Sequence, residues 1–293
     1  MKNLFIVLFL FISYNVKSQY VINASFEDGS RTDNGKINLN ATGLACTPDC
    51  MQISDSFFRL GTHSQRSIVF ENSPCTCGSS IRCEGKVIKN NADTLVKNKF
   101  YAASLFPRLY YTPAVDNKDE LSLQWKTDTD NFPVLSLWER PSGGTTHWFL
   151  IQQYDTTRTN PTSGQLTTVI EDLGELDTDT WTDWTFEIDW QPNYTGYIIV
   201  YKNGVEVLTI TGANTNKFYD ALSPSYKAFR FGIYKFPWCS GSLPTPNVGE
   251  KIMYYDVIRV GNADMNINQF IIPPTPSTQT NYIPFNRPVR NSN

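Results

Sequence analysis

Charge is sparse in this 293-residue chain. Only 18% of residues are Asp, Glu, Lys or Arg, and 25 Lys and Arg against 28 Asp and Glu leave a formal net charge of −3. No block gathers the cations together, which excludes the electrostatic footprint of a nucleic-acid-binding protein. There are only two histidines, His63 and His147. No Gly-x-Ser-x-Gly sequence occurs, so the nucleophile turn of a serine hydrolase is absent. The chain shows no internal repeat and no long stretch of helical periodicity. Beyond the first 18 residues no apolar run is long enough to cross a membrane.

The one apolar run at the start is short. Lys2 precedes Leu4–Ile12, and the small residues Val16 and Ser18 follow it. This is the pattern of a secretory signal over residues 1–18, with the mature chain expected to begin at or near Gln19. Export places the protein outside the cytoplasm, extracellular or periplasmic. The six cysteines, Cys46, Cys50, Cys75, Cys77, Cys83 and Cys239, then read as disulfide partners. Six cysteines allow fifteen pairings, and spacing does not choose among them. Full pairing requires Cys239 to reach back to the N-terminal group. The C-x3-C and C-x-C-x5-C spacings do not match the usual zinc sites.

What the chain has in quantity is β-structure chemistry. Trp, Tyr and Phe make up 14% of it. In residues 181–190, Trp184, Phe186, Ile188 and Trp190 alternate with Thr185, Glu187 and Asp189. A period of two marks a half-buried strand. Residues 197–201 and 205–210 are β-branched and aromatic runs joined by Lys202-Asn203-Gly204, a hairpin signal, because a type I′ turn needs positive φ at both central positions. Residues 229–236 place Arg230, Gly232, Tyr234 and Phe236 on one face, and Phe231, Ile233 and Lys235 on the other. Glycine in such a face allows a close approach to the backbone. Further strands are expected near 20–28, 57–70, 81–88, 100–111, 121–126, 133–138, 146–153 and 251–260. Pro107 suits an edge strand or a bulge, and Leu121, Leu123 and Trp125 are expected to point inward. Residues 46–52 read as a cysteine-tied loop. The regular spacing of short strands predicts an all-β fold, a two-sheet antiparallel sandwich spanning residues 19–265. Residues 266–293, with Pro274, Pro276, Pro284 and Pro288, read as a flexible tail.

Three short elements carry a resemblance. Arg82-Cys83-Glu84, Gln124-Trp125-Lys126 and Gly232-Ile233-Tyr234 occur in that order, each in strand context. The chain is similar to polysaccharide lyases of the heparin-lyase-I-like and alginate-lyase-like superfamily, whose strands carry R-x-E, Q-x-H and G-x-Y. The segments SFEDGS and YYDVIRVG extend the likeness over most of residues 20–262. The resemblance implies a β-jelly-roll sandwich of the concanavalin A-like type. It also implies β-elimination on a uronic-acid polysaccharide. That reaction needs a neutralised uronate carboxylate, a base for the adjacent proton and an acid for the leaving oxygen. By the same resemblance Arg82 and Gln124 neutralise the carboxylate and Tyr234 serves as base and acid. Lys126 stands where the family has histidine and gives electrostatic support. Arg230, Glu84, Lys235 and His147 are the expected substrate-binding residues. His147 could instead be a strand-end surface residue.

The expected partner is thus an anionic polysaccharide, with neither nucleic acid nor membrane insertion, and the expected state a monomer. No metal ligand is assigned, although calcium is a candidate for the Asp128–Asn131 loop. Two other functions fit parts of the sequence. Lys126 in place of histidine suits a secreted carbohydrate-binding module without catalysis. Glu187-Ile188-Asp189 begins the carboxylate pattern of a laminarinase-type glycoside hydrolase, but Gln191 stands where its second glutamate belongs.

Overall fold

The computed structural model describes residues 22–39, 50–70, 81–87, 98–108, 117–126, 133–154, 167–191, 195–212, 228–235 and 250–273. The signal segment, the Asp128–Asn131 loop, Phe236, Cys46, Cys75, Cys77 and Cys239 lie outside these residues. The strands are β1 (Ile22–Ala24), β2 (Ile37–Asn38), β3 (Met51–Ser54), β4 (Ser64–Phe70), β5 (Ile81–Val87), β6 (Asn98–Pro107), β7 (Glu120–Lys126) and β8 (Leu135–Ser142). They continue as β9 (Thr145–Tyr154), β10 (Thr167–Glu175), β11 (Thr182–Asp189), β12 (Tyr197–Lys202), β13 (Val205–Thr211), β14 (Ala228–Lys235) and β15 (Glu250–Asn262). Among the described residues the one helical element is a 3-10 turn, Ile267–Gln269.

The strands form an antiparallel two-sheet sandwich of the jelly-roll type. The first sheet runs β13-β12-β11-β6-β15-β4-β3, with β1 also paired to β15; the second runs β10-β9-β8-β7-β14-β5-β2. Alternation explains the core between them. Trp184, Phe186 and Ile188 face inward from β11, and Trp125, Phe229, Trp148 and Phe231 face them from the second sheet. Trp125 stacks on Phe229 at 4.9 Å, and Trp148 meets Trp184 edge-on at 5.6 Å. The Lys202-Asn203-Gly204 connection turns as expected, with φ of 52° at Asn203 and 79° at Gly204. One disulfide among the described residues, Cys50–Cys83, ties the start of β3 in one sheet to β5 in the other.

Several sequence expectations change. Pro107 is not on an edge: it ends β6, a central strand between β11 and β15. Its missing N–H costs little at a strand terminus. Strands β2, β3 and β10 fall outside the expected set. Residues 46–52 read as loop although Met51 opens β3, and β10 is an edge strand too polar and exposed to carry an alternation signal. Packing also continues past residue 265. Phe270 and Ile272 are buried, Phe270 stacks on Phe100 at 5.2 Å, and the Phe270 carbonyl accepts from Thr185.

Two consecutive β-bulges reshape the second sheet. Leu121 pairs with Trp138 and Leu123 with Leu137, so Ser122 is an extra residue in β7. Phe231 pairs with Leu123 and Tyr234 with Leu121, so β14 also holds one extra residue. The extra residue in β7 reverses the in-and-out alternation of that strand, while β14 keeps its alternation in unbroken register with β5. Leu121 therefore shares the outer face with Trp138 and Tyr234, not the core face. Gly232 sits inside the β14 bulge with φ of 132°, and a Cβ there would lie 2.2 Å from the Cys83 carbonyl oxygen. The close approach that this glycine permits is that of β5 itself.

On the first sheet, Asp256 is fully buried and pins the turn before β4. It accepts the backbone N–H groups of Arg59 at 2.8 Å, Leu60 at 3.0 Å and Val257 at 2.6 Å. Burial nonetheless pushes its carboxyl up to about 7 from 3.8.

Three outcomes are expected. Gly232→Ala should lower stability by about 2–4 kcal/mol, read by urea unfolding, because both the φ and the space forbid a Cβ. Replacing Cys50 and Cys83 together by Ala should cost about 3 kcal/mol under oxidising conditions, for a cross-link spanning 33 residues. The Asp256 contribution has a definite sign. Its folded pKa is raised, so its stabilisation is complete below pH 3.8 and is lost as pH rises through about 7. Stability of Asp256→Asn, measured across that range, should fall less steeply than that of the natural chain.

Candidate active site

The central strands of the second sheet assemble a polar site on their outer face. In β5, Ile81, Cys83 and Val87 enter the core, so Arg82, Glu84 and Lys86 project the other way. In β14, Phe229 and Phe231 are core and Arg230 and Tyr234 are not. In β7, Leu123 and Trp125 are core, and Gln124 and Lys126 face out. Register then brings the strands together. Gln124, Arg230 and Lys86 form one row across β7, β14 and β5, while Glu84 lies opposite Gly232, and Arg82 opposite Tyr234. Six residues singled out from the sequence, Arg82, Glu84, Gln124, Lys126, Arg230 and Tyr234, thus meet on three adjacent strands.

The floor of the site is buried although it lies on an outer face. Glu84 is 0% exposed, Gln124 2%, Lys86 3% and Arg230 5%. Around it Arg82, Lys126, Tyr234 and Trp138 are half-buried, open to a ligand. The Gln124 amide donates to Glu84 Oε1, and Arg82 Nε stands 3.8 Å from Glu84 Oε2. Burial pushes the Glu84 carboxyl above the ordinary glutamate range, opposed by the charges of Arg82 and Arg230, the Gln124 hydrogen bond and the charge of Lys126. The Arg82 guanidinium lies over the Tyr234 ring, 4.1 Å from its centroid. Glycine at 232, opposite Glu84, leaves the face beside the carboxylate clear of a side chain.

Two residues of this face escaped the sequence reading. Lys86 continues the Arg82–Glu84 alternation by one more step, a signal present in the spacing. Trp138, which donates to Ser136 Oγ at 2.7 Å, alternates with the core residues Leu135 and Leu137 in the same way.

Two expected residues are not brought to the site. Lys235 points between the sheets and is 1% exposed; its ammonium lies 3.6 Å from Glu120 and donates to the Lys118 carbonyl at 2.9 Å. Lys235 keeps the inward side of β14 that Phe229, Phe231 and Ile233 share, in unbroken register with β5. His147 lies on the outer face of β9, two strands from β7, and its Nδ1 is 2.9 Å from Asp172. The Glu187-Ile188-Asp189 carboxylates are on the other sheet, where Glu187 accepts from Tyr197 at 2.9 Å and pairs with Lys99 at 2.8 Å. Among the described residues no group of three or more His, Cys, Asp or Glu is arranged to hold a metal ion.

Chemically, the face presents a cationic and amide-lined floor suited to a carboxylate, with a phenol at its edge that can exchange a proton. Comparison with known proteins agrees with this character. The family model described as polysaccharide lyase matches residues 26–259. No match was found among curated proteins. An endo-β-1,4-glucuronan lyase from the fungus Trichoderma reesei superposes with a TM-score of 0.61 at 17% identity, over 77% of this chain and 92% of that one. An alginate lyase with one lysine and one tyrosine replaced by alanine, bound to an alginate tetrasaccharide, gives 0.54 at 13% identity, over 82% and 93%. The marine alginate lyase from Aplysia kurodai gives 0.53 at 12% identity, over 83% and 99%. A jelly-roll sandwich with this face, matched along most of its length by that model, belongs to the polysaccharide lyase family.

Proposed function

We propose that the protein is a secreted, monomeric lyase that cleaves a uronic-acid polysaccharide by β-elimination on the Arg82–Gln124–Tyr234 face. The observation that carries this reading is the convergence of a donor amide, several cations and one phenol on a single sheet face. In the reaction the C5–H bond breaks and its proton passes to a base. The electron pair becomes the C4–C5 double bond, the C4–O bond breaks, and the leaving oxygen takes a proton. The carboxylate on C5 must be neutralised for that proton to leave.

Each residue takes a role from its position. Gln124 commits one amide N–H to Glu84, which fixes its plane and directs the second N–H at the uronate. Arg82 and Arg230 supply positive charge beside it. Tyr234 takes the C5 proton and returns it to the leaving oxygen, and the stacked Arg82 guanidinium counters the charge on the phenol oxygen during transfer. Lys126 adds electrostatic support from the end of β7. The similar glucuronan and alginate lyases act on uronate polymers by their names. In one of them the replaced pair was a lysine and a tyrosine, the residue types of Lys126 and Tyr234. The signal at residues 1–18 and the Cys50–Cys83 bridge support export to an oxidising compartment. Because the chain carries a net −3, attraction for a polyanion is local to this face.

The test is the ultraviolet absorbance of the unsaturated uronate that elimination creates. Mature protein with glucuronan, alginate, heparin-type and chondroitin-type polymers should raise it on at least one of them. Tyr234→Phe should slow that rise by about 10²–10⁴-fold, the usual worth of a proton-transfer group. Binding without any rise would favour a non-catalytic carbohydrate-binding module, with Lys126 the mark of a lost base.

A further inference from the structure

Behind the Tyr234 end of the site the interior is not apolar. Glu120 of β7, Glu139 of β8, Lys235 of β14 and Lys251 of β15 converge between the sheets, each no more than 1% exposed. Lys251 Nζ lies 3.2 Å from Glu120 and 2.8 Å from Glu139, and Lys235 Nζ lies 3.6 Å from Glu120. Ser122 donates to the second Glu139 oxygen at 2.8 Å. Tyr255, on the same strand as Lys251, is buried beside them, and its hydroxyl is held well above the ordinary range by burial and then by Glu120, Glu139 and Glu84. Two carboxyl groups meet two amines, one of them from the opposite sheet, and burial together with Glu139 pushes the Glu120 carboxyl up to about 8.

Stability alone does not account for such a cluster. Desolvating charges is costly, and apolar side chains of similar volume often replace buried ion pairs without loss. What distinguishes the tetrad is its position. Glu120 precedes Leu121, which pairs with Tyr234; Ser122 is the extra residue of the β7 bulge; Lys235 follows Tyr234 directly. Counting in regular register from the Phe231–Leu123 pair would set Tyr234 opposite Glu120. The unbroken alternation of β14 sends Tyr234 to the site face and Lys235 to the inside, and the shift in β7 turns Glu120 to the inside as well, where it meets Lys235.

We propose that the Glu120–Glu139–Lys235–Lys251 tetrad is a positioning device that locks the bulged register of β7 against β14 and, by holding Lys235, sets the neighbouring Tyr234 against Gln124. It rests on the reading of Tyr234 as the proton-transfer group. The tetrad touches no substrate and acts only through the strand that carries the phenol.

The decisive experiment removes the charges together, as Glu120→Leu, Glu139→Leu, Lys235→Met and Lys251→Met, in the full mature chain. Thermal melting checks the fold, and steady-state kinetics follow the unsaturated product on whichever uronate polymer the natural chain cleaves. The expected result is a folded protein whose KM is unchanged and whose kcat falls about 10²-fold, the cost of misplacing a reacting group by about 1 Å. In a Tyr234→Phe background the same four changes should lower kcat no further, since two changes acting on one step are not additive. If the quadruple variant does not fold, the balanced pair Glu120→Gln and Lys235→Met, which leaves Lys251 on Glu139, takes its place with the same expectation. A folded variant with undiminished kcat, a loss confined to KM, an additive loss with Tyr234→Phe, or unfolding of both variants would each overturn the proposal. Full activity in Tyr234→Phe alone would instead overturn the assignment of Tyr234.

Discussion

Glu84 is sealed from water on the outer face of a sheet, and a carboxylate there persists as an ion only where charge and hydrogen bonds replace its hydration. That requirement organises the site. Arg82, Arg230 and Lys126 oppose the effect of burial on Glu84, and Gln124 spends an amide hydrogen on it. The groups drawn in around this acid are the same groups that can hold the acid of a sugar. A patch of cations without Glu84 would repel itself and splay. With it, the cations stay close packed and a second carboxylate can be received beside the first.

The scaffold holds this arrangement from behind. Cys83 lies between Arg82 and Glu84 in sequence and on the opposite face in space, and its bridge to Cys50 fixes β5 to the other sheet. Gly232 brings β14 close to β5 at the level of Glu84, and the unbroken β14–β5 register sets Tyr234 opposite Arg82. The core supplies a rigid platform, in which Trp125 of β7 and Phe229 of β14 stack directly beneath the Gln124–Arg230 row. Precision of the kind proton transfer needs comes from such supports, not from the reacting side chains alone.

Much of this was legible in the sequence because a strand has a period of two. Trp184, Phe186 and Ile188 announced an inner face, Asn203-Gly204 a tight hairpin, and Arg82, Gln124 and Tyr234 their common side. The same alternation offered Lys86 and Trp138. Alternation failed at the bulge in β7. Nothing local marks Ser122 as an extra residue, so Leu121 read as core; Lys235 read as a ligand by its charge, although its spacing set it with Phe231 and Ile233, where it is an interior ion-pair partner. Strand β10 stayed hidden because an exposed edge needs no apolar face, and β3 because four residues beside cysteines read as a loop. Cys50 and Cys83 are partners through the stacking of two sheets, which spacing along the chain does not encode.

The most direct measurement is a crystal structure of Tyr234→Phe with a bound oligosaccharide of the polymer that the natural enzyme cleaves. The account predicts a uronate carboxylate within hydrogen-bond reach of the Gln124 amide, flanked by Arg82 and Arg230. Its C5 should face the edge of the substituted ring, where the Tyr234 phenol oxygen stands in the natural chain. A saccharide seated on the outer face of the other sheet, or one whose carboxylates all point away from Gln124, would contradict it.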